Sequence, residues 1–263
     1  ILTFDQLGLP DAIRDLCFLS KGLLVVTGPT GSGKSTTLAA MVDHINRERA
    51  VNILTIEDPI EYVFQNRRAM VNQREIGADV TDIPSAMQSA LRGDLDVIVV
   101  GELRDIETMK TALTLAETGH LVFGTLHTKS ALSTVDRFID AFPTEQQPQM
   151  CTQLAASLQA IISQQLIRKV NGGRIAAVEI MLNTPLVSDM IFKGEVNELK
   201  EVMKRSRELG MQTFDQALFD LYEAGKVTYD DALRNADSVN DLRLQIKLNS
   251  KLGAQDPNTG IQH

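Results

Sequence analysis

The chain has no tryptophan and only two cysteines in 263 residues, and aromatic residues make up 5% of it. So few cysteines exclude a disulfide-stapled scaffold. Cys17 and Cys151 are isolated, without neighbours at metal-ligand spacing, and read as reduced, structural thiols. Long apolar runs are also missing: nothing approaches the roughly 18 residues of a membrane-spanning helix, so no direct membrane insertion is expected. Basic charge is in deficit. A net charge of −8 argues against a nucleic-acid or anionic-membrane surface, because those partners reward clustered Lys and Arg. The first residues, Ile1-Leu-Thr-Phe-Asp, lack an initiator Met and the basic start of a signal peptide, so the chain reads as a fragment of a longer protein.

What is present is a hydrophobic fraction of 43%, enough core for one large α/β domain with a small addition. Directly after the apolar run Gly22-Leu-Leu-Val-Val-Thr27 stands Gly28-Pro-Thr30-Gly31-Ser32-Gly33-Lys34-Ser35-Thr36, a full GxxxxGK[ST] match. Strand, glycine-rich loop and helix start follow in the order a phosphate cradle requires. The glycines let backbone N–H groups converge on phosphate oxygens, and the helix beginning near Lys34 adds its positive dipole end. Lys34 is placed to reach the β/γ-phosphates of ATP and Ser35 to offer a hydroxyl to Mg²⁺. Leu38, Met41, Val42 and Ile45 recur at the spacing of a helix packed on a sheet.

Three further apolar runs read as strands: Val51-Asn-Ile-Leu-Thr-Ile56, Asp96-Val-Ile-Val-Val-Gly101 and Leu121-Val-Phe-Gly-Thr-Leu126. A helical pattern through Ile106, Met109, Leu113 and Ala116 follows Asp105. Continuously apolar strands alternating with helices imply a parallel sheet buried on both faces, its strand carboxyl ends lined up along one edge. The polar residues gather at that edge. Hydrolysis of a phosphoanhydride needs an in-line water, a carboxylate to orient or deprotonate it, and a divalent cation on the oxygens. Glu102 follows its strand directly but is preceded by Gly101, where many P-loop enzymes carry an Asp. Asp58 and Glu61, after the preceding strand and beside Glu57, are candidates to compensate, one ordering Mg²⁺-bound water and the other assisting the attacking water. His120 and His127 bracket the fourth strand, too far apart for a single metal site; a nucleotide-state sensor or a structural hydrogen bond is the expectation.

The second half has another texture. Residues 146–170 show one long helical pattern through Leu154, Leu158, Ile161, Ile162 and Leu166, followed by a turn at Asn171-Gly-Gly173 and a strand Arg174-Ile-Ala-Ala-Val-Glu-Ile-Met181. Amphipathic stretches at 186–191, 213–223, 229–235 and 239–248 predict a small helical appendage. The polar, aperiodic ending 249–263 reads as a disordered tail.

Taken in order, the P-loop, Thr55-Ile-Glu-Asp-Pro-Ile-Glu61, Gly101-Glu-Leu-Arg-Asp105 and Thr118-Gly-His120 through His127-Thr128 resemble the Walker A, Asp-box, Walker B and His-box of secretion ATPases. Within that superfamily the chain most resembles the PilT/PilU retraction motors of type IV pili. Residues 186–193 (Leu-Val-Ser-Asp-Met-Ile-Phe-Lys) and 235–248 look closer to the PilU branch. The resemblance implies a RecA-like P-loop NTPase core with a mostly parallel sheet over residues 1–183, a C-terminal helical region over 184–248, and a PAS-like N-terminal domain absent from this chain. It also implies that Glu61 and Glu102 serve metal and water activation, with His120 and His127 as the His-box. Arg137 then reaches the nucleotide of a neighbouring subunit as an arginine finger. The implied protein is a cytoplasmic homo-hexamer at the inner membrane's cytoplasmic face, working with a PilT-type partner ATPase and the pilus platform protein. A pilus-assembly or type II secretion ATPase is the alternative, although such motors usually carry a four-cysteine zinc module that two scattered cysteines cannot make. A nucleotide-binding scaffold subunit that stabilises a partner motor is another, and a small-molecule kinase leaves the Asp- and His-boxes unexplained.

Overall fold

In the computed structural model, which describes residues 1–252, the apolar runs are the inner strands of a seven-stranded sheet. Two short helices, Phe4–Leu7 (α1) and Asp11–Leu16 (α2), lead into β1 (Gly22–Thr27), α3 (Lys34–Glu48), β2 (Asn52–Glu57), β3 (Met70–Glu75) and α4 (Ile83–Ala90). Then come β4 (Val97–Val100), α5 (Ile106–Glu117), β5 (Leu121–Leu126), α6 (Ala131–Asp140), α7 (Gln147–Ser157), β6 (Leu158–Arg168) and β7 (Arg174–Leu182). Five helices close the chain: α8 (Pro185–Lys193), α9 (Leu199–Arg205), α10 (Phe214–Glu223), α11 (Tyr229–Arg234) and α12 (Val239–Asn249).

The strand order is β3-β2-β4-β5-β1-β6-β7, parallel throughout except for the β6–β7 pair. Every residue of β1, β4 and β5 is buried, as expected of parallel strands covered on both faces. One core layer lies between the sheet and α4–α7 and extends into α8 and α9 through Val187, Ile191, Leu199 and Met203. The opposite layer holds α1, α2 and α3 against the other face. A third cluster joins Ile167 and Ala177 of the β6–β7 hairpin to α10, α11 and α12. The expected division between 183 and 184 falls between β7 and α8. The tail expected over 249–263 lies outside the described residues from position 253 onward; Asn249 itself closes α12.

One expectation is corrected. The helical pattern over 146–170 divides: α7 stops at Ser157, and Leu158–Arg168 is β6, an inner strand between β1 and β7. Leu158, Ala160, Ile161 and Ile162 are almost completely buried between β1 and β7. A run apolar on both faces satisfies helical spacing as readily as strand burial, and the vacant place beside β1 decides in favour of the strand. β3 went unassigned as a strand for the opposite reason: it is an edge strand with alternating exposure and only one β-branched residue, Val71.

Candidate nucleotide site

β1, β2, β4 and β5 run in parallel, so Thr27, Glu57, Val100 and Leu126 end on one edge of the sheet, and a cavity of about 510 Å³ opens there. Thr30, Gly31, Gly33, Lys34, Ser35 and Thr36 form one wall of it; Glu57, Asp58, Glu61, Glu102, Arg104 and His127 contribute to the other. Two P-loop residues lie beneath the loop instead. Gly28 is buried at φ +147°, where a Cβ would meet the Gln164 carbonyl at 2.4 Å, and Ser32 is buried with its hydroxyl unpartnered.

The loop hands over to α3 with Gly33 as N-cap and no side chain closing the helix end. By contrast, Asp82, Asp105 and Ser130 cap α4, α5 and α6 with side-chain acceptors. The free N–H groups of the α3 terminus are thus left for an anion. Lys34 curls back over the loop, its Nζ donating to the carbonyls of Gly28 (2.7 Å) and Pro29 (3.2 Å). Burial pulls its ammonium below the ordinary lysine range, against the opposing pull of Glu102 and Glu61. The hydroxyl of Thr36 is shared with Tyr62 Oη at 3.0 Å.

Glu102 is fixed by the backbone on either side of it. The Gly101 N–H bonds the Ile56 carbonyl of β2 at 2.8 Å, and the Leu103 N–H bonds the Thr125 carbonyl of β5 at 3.0 Å. A Cβ at Gly101 would stand 3.2 Å from the Ile56 oxygen, a tight contact, and 3.5 Å from Glu57 Cα, an ordinary one, so the β2 backbone crowds the position before Glu102. The Glu102 carboxylate accepts from Arg104 Nε at 2.7 Å and faces His127 Nε2 at 3.3 Å. The other His127 nitrogen, Nδ1, is 3.4 Å from Lys34 Nζ. Since an ammonium only donates, the arrangement that satisfies both contacts has Nδ1 accepting and Nε2–H donating to Glu102. His127 therefore bridges the phosphate lysine and the carboxylate.

The four acids differ in freedom. Glu57 accepts from Thr55 (2.6 Å) and Gln73 (3.2 Å), which ties it to the sheet. Asp58 lies within the electrostatic reach of Arg104, and Glu61 within that of Lys34. The oxygens of Ser35, Asp58 and Glu61 around the cavity are hard donors, which fit Mg²⁺. Two sequence-derived candidates lie elsewhere. His120 sits at the opposite end of β5, with Nδ1 3.0 Å from the Leu115 carbonyl. Arg137, near the C-terminus of α6, is exposed and donates to the Arg104 carbonyl at 3.4 Å. Sequence reasoning missed Arg104, which clasps Glu102, and Gln164, which lies behind the loop.

The parallel sheet, the P-loop at its carboxyl edge and the facing carboxylate define a nucleotide-binding, ATP-hydrolysing P-loop enzyme of the RecA-like class. The family model described as type II/IV secretion system protein matches residues 4–173, and the chain belongs to that family. It is 49% identical over 255 residues to the type IV pilus ATPase PilU of Pseudomonas aeruginosa, covering 97% of this chain and 67% of that protein. The type IV pilus retractation ATPase PilT of the same organism is 48% identical over 236 residues, 90% of this chain and 69% of the relative. Among solved structures, that of the pilus retraction motor PilT with bound ADP superposes with a TM-score of 0.86 at 46% identity, covering 92% of this chain and 68% of that one. The chain thus spans about two thirds of the length of the relatives it matches.

Proposed function

We propose that this chain is the motor part of a type IV pilus retraction ATPase, a PilU-like subunit that hydrolyses ATP within a homo-hexamer. The observation that carries the reading is the meeting of Lys34, His127 and Glu102 in one cavity at the open end of α3. Retraction is favoured over pilus assembly or type II secretion by the pilus ATPases PilU and PilT, matched over 97% and 90% of this chain.

In this reading the loop N–H groups and Lys34 hold the β/γ-phosphates, and Lys34 leaves the Gly28 and Pro29 carbonyls for the incoming anion. The γ-phosphate then replaces the contact between Lys34 and His127, so that His127 reports nucleotide state to Glu102. Glu102 orients the attacking water and accepts its proton, with Glu61 assisting. Ser35 would hold a magnesium ion, with Asp58 placed to order its water, and such an ion would supply charge that neutralises the phosphate oxygens. Arg137 completes the site of the neighbouring subunit, and His120 belongs to the same His-box without facing the cavity of its own chain. The core of residues 1–183 and the helical region 184–248 act as the parts that move against their neighbours. The subunit works at the cytoplasmic face of the inner membrane, beside a PilT-type ATPase and the pilus platform protein, without nucleic acid. No described helix is long and apolar enough to cross a membrane.

The test joins biochemistry to cells. Native mass and ATP turnover of the full-length protein should show a hexamer with ATPase activity, and deleting the gene should leave pili assembled but retraction weakened. A monomer that turns over ATP only when a phosphate acceptor is added would replace this reading with that of a kinase. Full retraction by this protein in cells lacking every other retraction ATPase would remove the auxiliary role alone.

A further inference from the structure

β6 runs past the end of its pairing with β1. The register aligns Thr27 with Ser163, and beyond that point β6 continues behind the P-loop. The next residue, Gln164, is 1% exposed and lies outside the nucleotide cavity, yet it touches the loop at both ends. Its Nε2 donates to the Ser32 carbonyl at 2.6 Å, and its Oε1 accepts from Thr37 Oγ1, on the first turn of α3, at 2.8 Å. A Cβ on Gly33, which sits at φ +91°, would stand 2.8 Å from that Nε2.

A buried primary amide is costly unless its donor and acceptor sides are both used, and a satisfied one fixes the geometry of whatever it bonds. Here it bonds a single peptide unit of the loop. In a trans peptide the carbonyl and the following N–H point in opposite directions. Drawing the Ser32 carbonyl back toward β6 therefore turns the Gly33 N–H forward, into the cavity that Gly33 lines. The Thr37 bond ties the same amide to α3, so loop peptide and helix end are held in one orientation. An apolar residue at 164 would fill the space and leave this peptide free to flip.

We propose that Gln164 is a positioning residue that sets the phosphate-facing peptide of the P-loop before nucleotide arrives. The inference rests on the ATP-site reading above and deepens it. Gln216 supplies a matched control. It too is buried and bonds its amide to backbone, donating to the Lys204 carbonyl at 2.9 Å and accepting from the Thr213 N–H at 3.1 Å, but among the C-terminal helices. ADP affinity by calorimetry and Tm without ligand should be measured for wild type, Gln164→Met, Gln216→Met and Thr37→Val. Gln164→Met is expected to weaken ADP about tenfold or more, while Gln216→Met lowers Tm comparably and leaves ADP affinity unchanged. Thr37→Val, nearly isosteric and removing one of the two bonds, should weaken ADP about threefold and decides the matter if Gln164→Met does not fold. Wild-type affinity in Gln164→Met or in Thr37→Val, or an equal loss in Gln216→Met, would overturn the inference while wild type still binds ADP. Failure of wild type itself to bind ADP would overturn the nucleotide-site reading and this inference together.

Discussion

Behind the P-loop, Gln164 and Thr37 are 1% and 2% exposed, whereas across the cavity the side chains of Arg104 and His127 are 61% and 51% exposed. The phosphate wall is held by buried hydrogen bonds and by the covered strand β1. The opposite wall is held by the exposed Arg104–Glu102 ion pair and the hydrogen bond from His127, contacts that at the surface are worth little, about 1 kcal/mol or less each, and reorganise readily. The difference divides the labour. On the proposed reading, binding is built into the folded chain, while the arrangement of Glu102, Arg104 and His127 waits for nucleotide and for a neighbouring subunit. Backbone bonds fix where Glu102 begins, and its exposed partners leave open where its carboxylate ends up.

The strongest way to break this division is to remove the charge on the phosphate wall. Lys34→Ala should abolish measurable ATP binding, and turnover with it, because the β/γ-phosphates lose their only P-loop cation; nucleotide titration and phosphate release are the measurements. Retained activity would mean that the loop does not hold phosphate.

A smaller effect, confined to the open wall, is expected from Arg137. Arg137→Ala should lower turnover tenfold or more with the native mass and ADP affinity unchanged. Mixed with Glu102→Gln subunits, it should regain part of the rate, since each defect then falls in a different composite site. A rate that never rises at any mixing ratio places the whole site within one chain.

The smallest expected effect concerns the buried staple between core and C-terminal helices. Glu179 on β7 accepts from the Ala131 N–H of α6 at 2.8 Å and from the Phe214 N–H of α10 at 3.4 Å. Burial pushes its carboxyl up to about 7, helped by Asp237 and opposed by those two N–H groups and by Lys200. An acid whose folded pKa exceeds its unfolded one binds more protons when folded, so its contribution to stability falls as pH rises from about 4.5 to about 7 and is flat above. Tm followed from pH 5 to 8 should therefore decline less steeply in Glu179→Gln than in wild type, by a few degrees over the range. Parallel curves would show that Glu179 is ionised throughout.

The same contrast explains what could be read from the sequence. The P-loop, the strand end before Glu102, α3 and α5 were legible because local pattern and burial agree there: β1 and β4 are buried throughout, and Asp105 caps α5 at the expected place. β6 was not, because an apolar run buried on both faces carries no periodicity that separates strand from helix. Gln164 was invisible as a contact for the P-loop because its partner Ser32 lies 132 residues away, and nothing local separates it from its polar neighbours Ser163 and Gln165. Gly101 was visible as a departure from the usual pattern, but the crowding of that position by the β2 backbone is supplied only by the sheet order.

Whether binding and chemistry reside on separate walls is tested most directly by Glu102→Gln. The amide keeps the shape of the side chain but cannot take the water's proton. ATP should be titrated onto the variant and the bound nucleotide quenched and separated over time. The account predicts ATP affinity within a few-fold of wild type, with bound ATP persisting and conversion to ADP slowed by roughly a hundredfold or more. Loss of ATP binding, or conversion at the wild-type rate, would contradict it.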